Sequence, residues 1–372
     1  MGNTFEMNNA TRDDVLFGNK FNRNSKVAKI YSELCQGKDT SKYGKETDEV
    51  VKYVKTLGQN IANGDKRSMA ELNTLRRYTV EPLLEKELQM LGAFGSFEQL
   101  GFNESIEVES YDFIGEKSRE QAPNADVLFP TVKREKYPVG TKTISGGWVT
   151  DYRKLMLGDM SIENKGMEQV RIDIMNKAKR EIIENAVKSI KGTDNVKYMF
   201  EGAGLTKTGV DKVLANVRRL GTGVSVLGDY ALLQQFTPWA GYNAEISYAD
   251  GKRFGYTTGV SAQDLADLRA NGILGTYNGS TLVEISNPYD YTTRTADGSN
   301  FNTMLNKGIA LVLPTGIDSP IKSWTRGGLT TFSGNDVTTG NVLTRFDLEF
   351  ATDVTKGREF QIGILKDTNL SE

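Results

Sequence analysis

The chain begins polar and then settles into helical stripes. Residues 1–25 are Asn-rich and read as an extended arm. Over Ser25–Leu34, Val27, Ile30, Tyr31 and Leu34 fall on one stripe, the spacing of an amphipathic helix. Thr47–Ile61 repeats the pattern with Val50, Val51, Val54, Leu57 and Ile61. Ser68–Leu91 does so with Leu72, Leu75, Leu83, Leu84, Leu88 and Leu91. Pro82 should bend or start a helix there, because it has no N–H to donate. Gly92-Ala93-Phe94-Gly95 stops it.

The period then changes. Ser105–Ile114 and Trp148–Leu157 alternate polar and larger residues, which predicts strands. Between them, Gly115–Gly147 holds Pro123, Pro130, Pro138 and the charge run Lys133-Arg134-Glu135-Lys136. A link of about 30 residues is too long for a hairpin turn. It is either without order or a long arm that reaches onto something else.

Ser161–Lys191 carries the clearest helix, with Ile162, Met167, Val170, Ile174, Ala178, Ile182, Ala186 and Ile190 on one stripe. Ser161 can cap its start and Gly192 its end. At 1.5 Å per residue it would run about 45 Å. Arg171, Lys177, Arg180, Glu184 and Lys188 on its other side suit a helix lying across a sheet with one side wet.

Gly204–Phe350 reads as α+β. Val210–Leu220 is amphipathic, Val224–Leu227 a short buried strand and Asp229–Phe236 a short helix. Ile273–Ile285 is a hairpin with Asn278-Gly279 at its turn. Ile309–Leu313 is another buried strand, and glycine-rich turns surround Trp324–Gly340. Leu343–Phe350 alternates and, with a turn at Gly357, pairs as a closing hairpin with Glu359–Leu365.

Composition narrows the chemistry. The chain has 372 residues, no histidine and one cysteine, Cys35. That excludes Ser-His-Asp and Cys-His catalysis, His-ligated metals and a CxxC redox pair. A formal charge of −2 excludes a strongly basic polyanion binder. No 18-residue apolar run exists to span a membrane, and Met1–Lys20 lacks the apolar core of a signal peptide. The sequons at Asn9, Asn103 and Asn278 therefore carry little meaning.

The motifs are weak one by one. Gly204–Gly209 starts like a phosphate loop, but Val210-Asp211 stands where Lys-Ser/Thr is needed, so it reads as a turn before a helix. Glu107/Glu109, Asp347/Glu349 and Asp13/Asp14 are most simply solvated carboxylates. Cys35 is most simply a small buried hydrophobe, and Trp148, Trp239 and Trp324 core or interface anchors. We expect no catalytic residue, cofactor or metal site. The informative signal is architectural: an N-terminal arm, a long two-stranded loop and a long one-sided helix gain most by packing on neighbours, as in a shell.

That order of parts resembles the major capsid proteins of tailed bacteriophages, the HK97-like fold. Val224-Ser225-Val226-Leu227-Gly228-Asp229 followed by Ala231-Leu232-Leu233 looks like the family's strand–turn–helix. Gly272–Gly279 with Leu282–Pro288 resembles its G-x-x-G-x-Y-x-G hairpin, and Leu311–Pro314 with Ser319–Lys322 its late strand and loop. The likeness covers roughly residues 100–370.

The resemblance implies an α+β shell subunit with an N-terminal arm, extended β-loop, long spine helix, and peripheral and axial domains. Its divisions would be 1–100 (helical arm region), 101–150 (extended loop), 151–205 (peripheral, with the spine helix), 206–338 (axial) and 339–372 (peripheral closing strands). It implies hexamers and pentamers closing into an icosahedral head around double-stranded DNA. Portal protein would be a partner, with scaffold or decoration proteins as further candidates. The protein would be made in the host cytoplasm and end in the virion, with non-specific DNA contact and no membrane. Contact residues expected from position are Lys133, Arg134, Glu135 and Lys136 at the loop tip, and Trp239 and Tyr242 near the axial domain's exposed loop. Lys117, Lys133 and Lys136 are placed where some relatives form a covalent crosslink, but no motif supplies an asparagine partner, so none is expected. The alternatives are a compartment shell protein of the encapsulin type, and a histidine-free carboxylate enzyme or binding protein.

Overall fold

The computed structural model describes residues 25–114, 120, 129, 131–157, 160–191, 196–243, 246–247, 253–254, 272–296, 298–336 and 338–370. The expected arm over residues 1–24, Asp13/Asp14 and Lys117 lie outside them.

Three helices come first: α1 Lys26–Cys35, α2 Lys45–Ala62 and α3 Lys66–Leu88. Ser25 caps α1 by accepting from the Ala28 N–H, and Asp65 caps α3 by accepting from the Arg67 N–H. Pro82 lies inside α3 and does not start a new helix. Strands β1 Ser96–Leu100, β2 Glu107–Ile114, β3 Thr131–Pro138 and β4 Lys142–Thr150 follow. Helix α4 is Tyr152–Leu157, and the 32-residue α5 is Met160–Lys191, about 48 Å at helical rise. Next come β5 Met199–Gly202, α6 Lys207–Arg218, β6 Gly223–Gly228 and α7 Tyr230–Leu233. Short strands β7 Tyr242–Asn243, β8 Ile246–Ser247 and β9 Arg253–Phe254 precede β10 Ile273–Tyr277 and β11 Ser280–Glu284. The chain continues with β12 Tyr289–Arg294, β13 Phe301–Thr303, β14 Ile309–Thr315, β15 Ile321–Asn335, β16 Val342–Val354 and β17 Gly363–Asp367.

Two main sheets organise these strands. One has four strands in the order β1-β15-β16-β4, the other seven in the order β5-β17-β14-β6-β11-β10-β7. Helix α5 lies on the four-stranded sheet so closely that glycines are needed at the contact. A Cβ on Gly146 would stand 3.0 Å from Val170, and one on Gly166 would stand 2.6 Å from the Trp148 ring. Apolar residues of α1–α3, including Ile30, Leu57, Leu72 and Leu84, share one core with Ile174 and Ile182 of α5 and Phe346 and Leu348 of β16. Leu227, Leu311 and Ile364 of the seven-stranded sheet join that core, while Val226, Val312 and Leu365 face a second core built on α6. The central strands of this sheet are thus buried on both faces.

Several expectations change here. Residues 26–93 are not an arm but a helical layer of the body, because their stripes find partners on α5 and the sheet. The predicted strand Trp148–Leu157 ends at Thr150 and continues as helix α4. Its partner is β16, not the strand before the long loop, which pairs with β3 instead. Trp324–Gly340 is dominated by a 15-residue strand, with Gly327 at φ +69° in the bulge between Arg326 and Thr330. The closing hairpin does not form: β16 belongs to the four-stranded sheet, and Gly357 turns the chain over to β17, which inserts between β5 and β14. The physical reason is burial, since β16 alternates like a one-faced strand while Gly363, Ile364 and Leu365 are buried in succession. Residues 321–335 therefore share a sheet with β16 and β4, and residues 363–367 share one with β5, β14 and β6. The Asn278-Gly279 turn forms as expected, with φ of +47° and +76°. Among the described residues no helix is long and apolar enough to cross a membrane.

Candidate assembly surface

Strands β2 and β3 form a separate two-stranded sheet. Its root is held to the body. Ile106, Val108 and Tyr137 pack on Trp324 of β15 and Ala351 of β16. The Tyr137 hydroxyl donates to Asp353 Oδ2 at 2.9 Å and accepts from the Lys356 N–H at 3.1 Å, and the Lys356 ammonium sits 4.3 Å from the Tyr137 ring centre. Burial, together with the Asp353 carboxylate, pushes the Tyr137 hydroxyl up to about 12. Burial also raises Asp353 above the usual carboxylate range, against the opposing pull of its hydrogen bond from Tyr137.

Beyond the root the hairpin carries its own charge compensation. Arg134 pairs with Glu109, Lys136 with Glu107, and Lys133 with Glu135. Hydrogen bonds from Arg134 and Tyr111 hold the Glu109 carboxyl below its ordinary range, and the bond from Lys133 does the same for Glu135. This corrects the loop-tip placement. Lys133, Arg134, Glu135 and Lys136 lie along β3, opposite Asp112, Tyr111, Ser110 and Glu109, because β3 takes the whole charge run into its ladder. Among the described residues the hairpin also exposes apolar side chains. Tyr111, Ile114, Val132 and Phe129 are all exposed. A lone two-stranded hairpin is marginal in water, so an exposed apolar one is stable when it lies on another surface.

Trp239 and Tyr242 come together, but in the other sheet. Trp239 stands 5.1 Å from Phe236 and 5.7 Å from Tyr277 between ring centres, half-buried in the α6 core. Tyr242 pairs with Tyr277 across β7 and β10 and donates its hydroxyl to the Leu274 carbonyl at 3.1 Å. Both therefore first of all pack their own chain.

A polar centre that periodicity did not disclose lies under the helical layer. Arg76 of α3 forms a two-pronged ion pair with Glu163 of α5, both contacts 2.7 Å and both side chains fully buried. Arg76 also donates to Thr344 Oγ1 at 2.8 Å, and Thr150 donates to Glu163 Oε1 at 2.7 Å. The Trp148 ring covers the guanidinium at 5.5 Å. One charge pair thus fastens the helical layer, α5, β4 and β16. Cys35 lies in the same region, and burial pushes its thiol up to about 12. Among the described residues no cluster of three or more cysteine or carboxylate groups could hold a metal.

A mixed α+β body that holds out a hairpin with exposed apolar side chains leaves surface for another chain to cover. The family model described as "SPbeta prophage-derived putative capsid protein YonB" matches residues 8–366, and the chain belongs to that family. No curated protein matches it. Similar solved structures include the capsid of an empty GTA particle, at 11% identity over 74% of this chain and 88% of that one, TM-score 0.45. Microbacterium phage Oxtober96 aligns at 10% identity over 73% and 89%, TM-score 0.45. A virus-like particle from Pyrococcus furiosus aligns at 10% identity over 77% and 97%, TM-score 0.41.

Proposed function

We propose that the chain is the major capsid protein of a phage head, assembling as hexamers and pentamers into an icosahedral shell around double-stranded DNA. The observation that carries this reading is the β2–β3 hairpin, which pairs its basic residues with its own carboxylates and leaves Tyr111, Ile114 and Val132 exposed beyond its root. In this reading the hairpin is the extended loop that covers a neighbour, α5 with the four-stranded sheet is the peripheral part, and the seven-stranded sheet is the axial part. The subunit works by contact alone, without chemistry, and resides in the virion. Portal protein closes one vertex, with scaffold or decoration proteins as further partners. The test is electron microscopy and light scattering of the purified protein. Closed shells or rings hundreds of ångströms wide, protecting DNA from nuclease, are expected. A protein that stays monomeric with portal and the neighbouring phage genes co-expressed refutes the reading, and shells without nucleic acid refute the virus head.

A further inference from the structure

One end of the seven-stranded sheet opens onto a cavity that none of the surfaces above uses. Strands β6 and β11 run parallel with Gly228 opposite Glu284, so their carboxyl ends stop side by side. In sheets with parallel strands a crevice for a ligand opens at that end. Asp229 follows β6, Glu284 closes β11, and residues of the β12–β13 hairpin face them across the space. The cavity measures about 550 Å³, the size of a small-molecule site. Asp229 is fixed in place, since its carboxylate accepts from the Ala231 N–H and from Asn287 Nδ2, both at 2.8 Å. Asn287 is itself held by the Leu305 carbonyl at 3.0 Å and the Leu305 N–H at 2.8 Å. The Glu284 carboxylate has no hydrogen-bond or ion-pair partner among the described residues. Burial, and after it the Asp229 charge, raises the Glu284 carboxyl above its usual range. Lys307 is the one cation among the described lining residues, against these two carboxylates. Aromatic rings line the same space: Tyr230 and Tyr289, 52% and 46% exposed, and Phe301. Phe301 already carries the Arg294 guanidinium 5.2 Å from its ring centre, which leaves the two tyrosines open.

We propose that this cavity binds a free aliphatic polyamine, with an ammonium group at Glu284 and Asp229 and the alkyl stem against Tyr230 and Tyr289. Three features select that class. The carboxylates outnumber the lining cation, so a cationic ligand supplies the charge Glu284 lacks. Tyrosine faces attract ammonium groups and also give the methylene stem an apolar wall. A hard metal ion fits less well, because it takes six or more oxygens and among the described residues no cluster of three acidic groups exists. A neutral ligand would leave the half-buried Glu284 charge without a partner. The bound polyamine would link the ends of β6 and β11 to the β12–β13 hairpin, so occupancy holds that hairpin against the sheet. The site stands apart from the β2–β3 hairpin and does not rest on the shell reading.

The test is calorimetric titration of the nuclease-treated full-length protein with spermidine at pH 8. Saturable binding at one site per chain is expected. Glu284→Gln should weaken it about 10-fold or more, the loss of a charge-assisted hydrogen bond. Tyr230→Leu and Tyr289→Leu should each weaken it about 3- to 5-fold, the loss of one partly exposed cation–π contact. Hydrogen exchange of the bound protein should slow over residues 289–303 and stay unchanged over β2 and β3. Absence of saturable binding, or binding that all three substitutions leave unchanged, overturns the proposal. Competition by Mg²⁺, with Glu284→Gln weakening spermidine and both tyrosine variants silent, assigns the cavity to a hard cation and overturns it too. Binding of Nα-acetyl-lysine methylamide in place of spermidine assigns the cavity to a protein lysine and overturns the free polyamine. If Glu284→Gln fails to fold, Tyr289→Leu decides, since that ring is nearly half exposed: a weakened titration supports the site and an unchanged one refutes it.

Discussion

Removing the Arg76 guanidinium should be among the most damaging single changes in the body of this subunit. In Arg76→Met the stem volume stays, but Glu163 is left as a fully buried carboxylate, with the Thr150 hydroxyl as a remaining donor. Breaking a buried pair from one side costs about 3–5 kcal/mol, because the surviving charge keeps its desolvation penalty and loses its partner. That is about a fifth or more of the stability of an ordinary domain. Replacing both partners, in Arg76→Met with Glu163→Leu, removes both penalties. The hydroxyls of Thr344 and Thr150 then each lose a bond of about 1 kcal/mol. The double variant should therefore be about 2 kcal/mol less stable than the parent, far short of the sum of its single variants. Urea unfolding of dissociated subunits, followed by tryptophan fluorescence, measures this, since Trp148 stacks over Arg76. An Arg76→Met loss below about 1 kcal/mol, or a double variant as unstable as the summed singles, would show that the pair does not fasten the helical layer.

Four further outcomes are expected. Arg134→Glu sets a like charge against Glu109, so it should impair assembly and leave the unfolding of the body unchanged. Restoration by adding Glu109→Arg would place the effect within the hairpin, and continued failure would place it on a neighbour. Gly166→Leu should destabilise by about 1–3 kcal/mol in thermal unfolding, because the side chain meets the Trp148 ring and the overpacking outweighs the helix propensity gained. The Tyr137 hydroxyl is raised, so its contribution is present below the unfolded value near 10 and is lost as pH rises through about 12. Limited proteolysis at the hairpin root should accelerate in that window, and in Tyr137→Phe it should be faster already at pH 8 and lack the alkaline step. Cys35, buried and with its thiol near 12, should resist thiol reagents at pH 8 until urea unfolds the chain.

The helices and the tight turn were legible because their signals are local. A stripe such as Val50, Val54, Leu57 and Ile61 fixes its own period, and Asn278-Gly279 carries the positive φ its turn demands. Strand partnership was not, since β4 finds β16 at Val342–Phe350, about half the length of the chain away. The exposed glycines of β15 imitated turns because outward positions such as Gly334 need no side chain for the core. The charge run on β3 imitated a loop tip, as its partners Glu107 and Glu109 lie on the far side of the long link. Arg76 and Glu163 each look like ordinary solvated helix residues until α3 and α5 are packed together. Of the expected contact residues, position along the sequence could not show that Trp239 and Tyr242 first serve their own core.

The place of β17 has a consequence for synthesis. It pairs on one side with β5 and on the other with β14, so it fills a slot between strands that leave the ribosome much earlier. Until residues 363–367 have been translated, β5 is detached from its sheet and β14 presents an open edge. A nascent or prematurely terminated chain is then unable to complete the seven-stranded sheet. Translation thereby acts as a quality gate: a shell that admits only subunits with this sheet closed would exclude fragments without any separate proofreading factor.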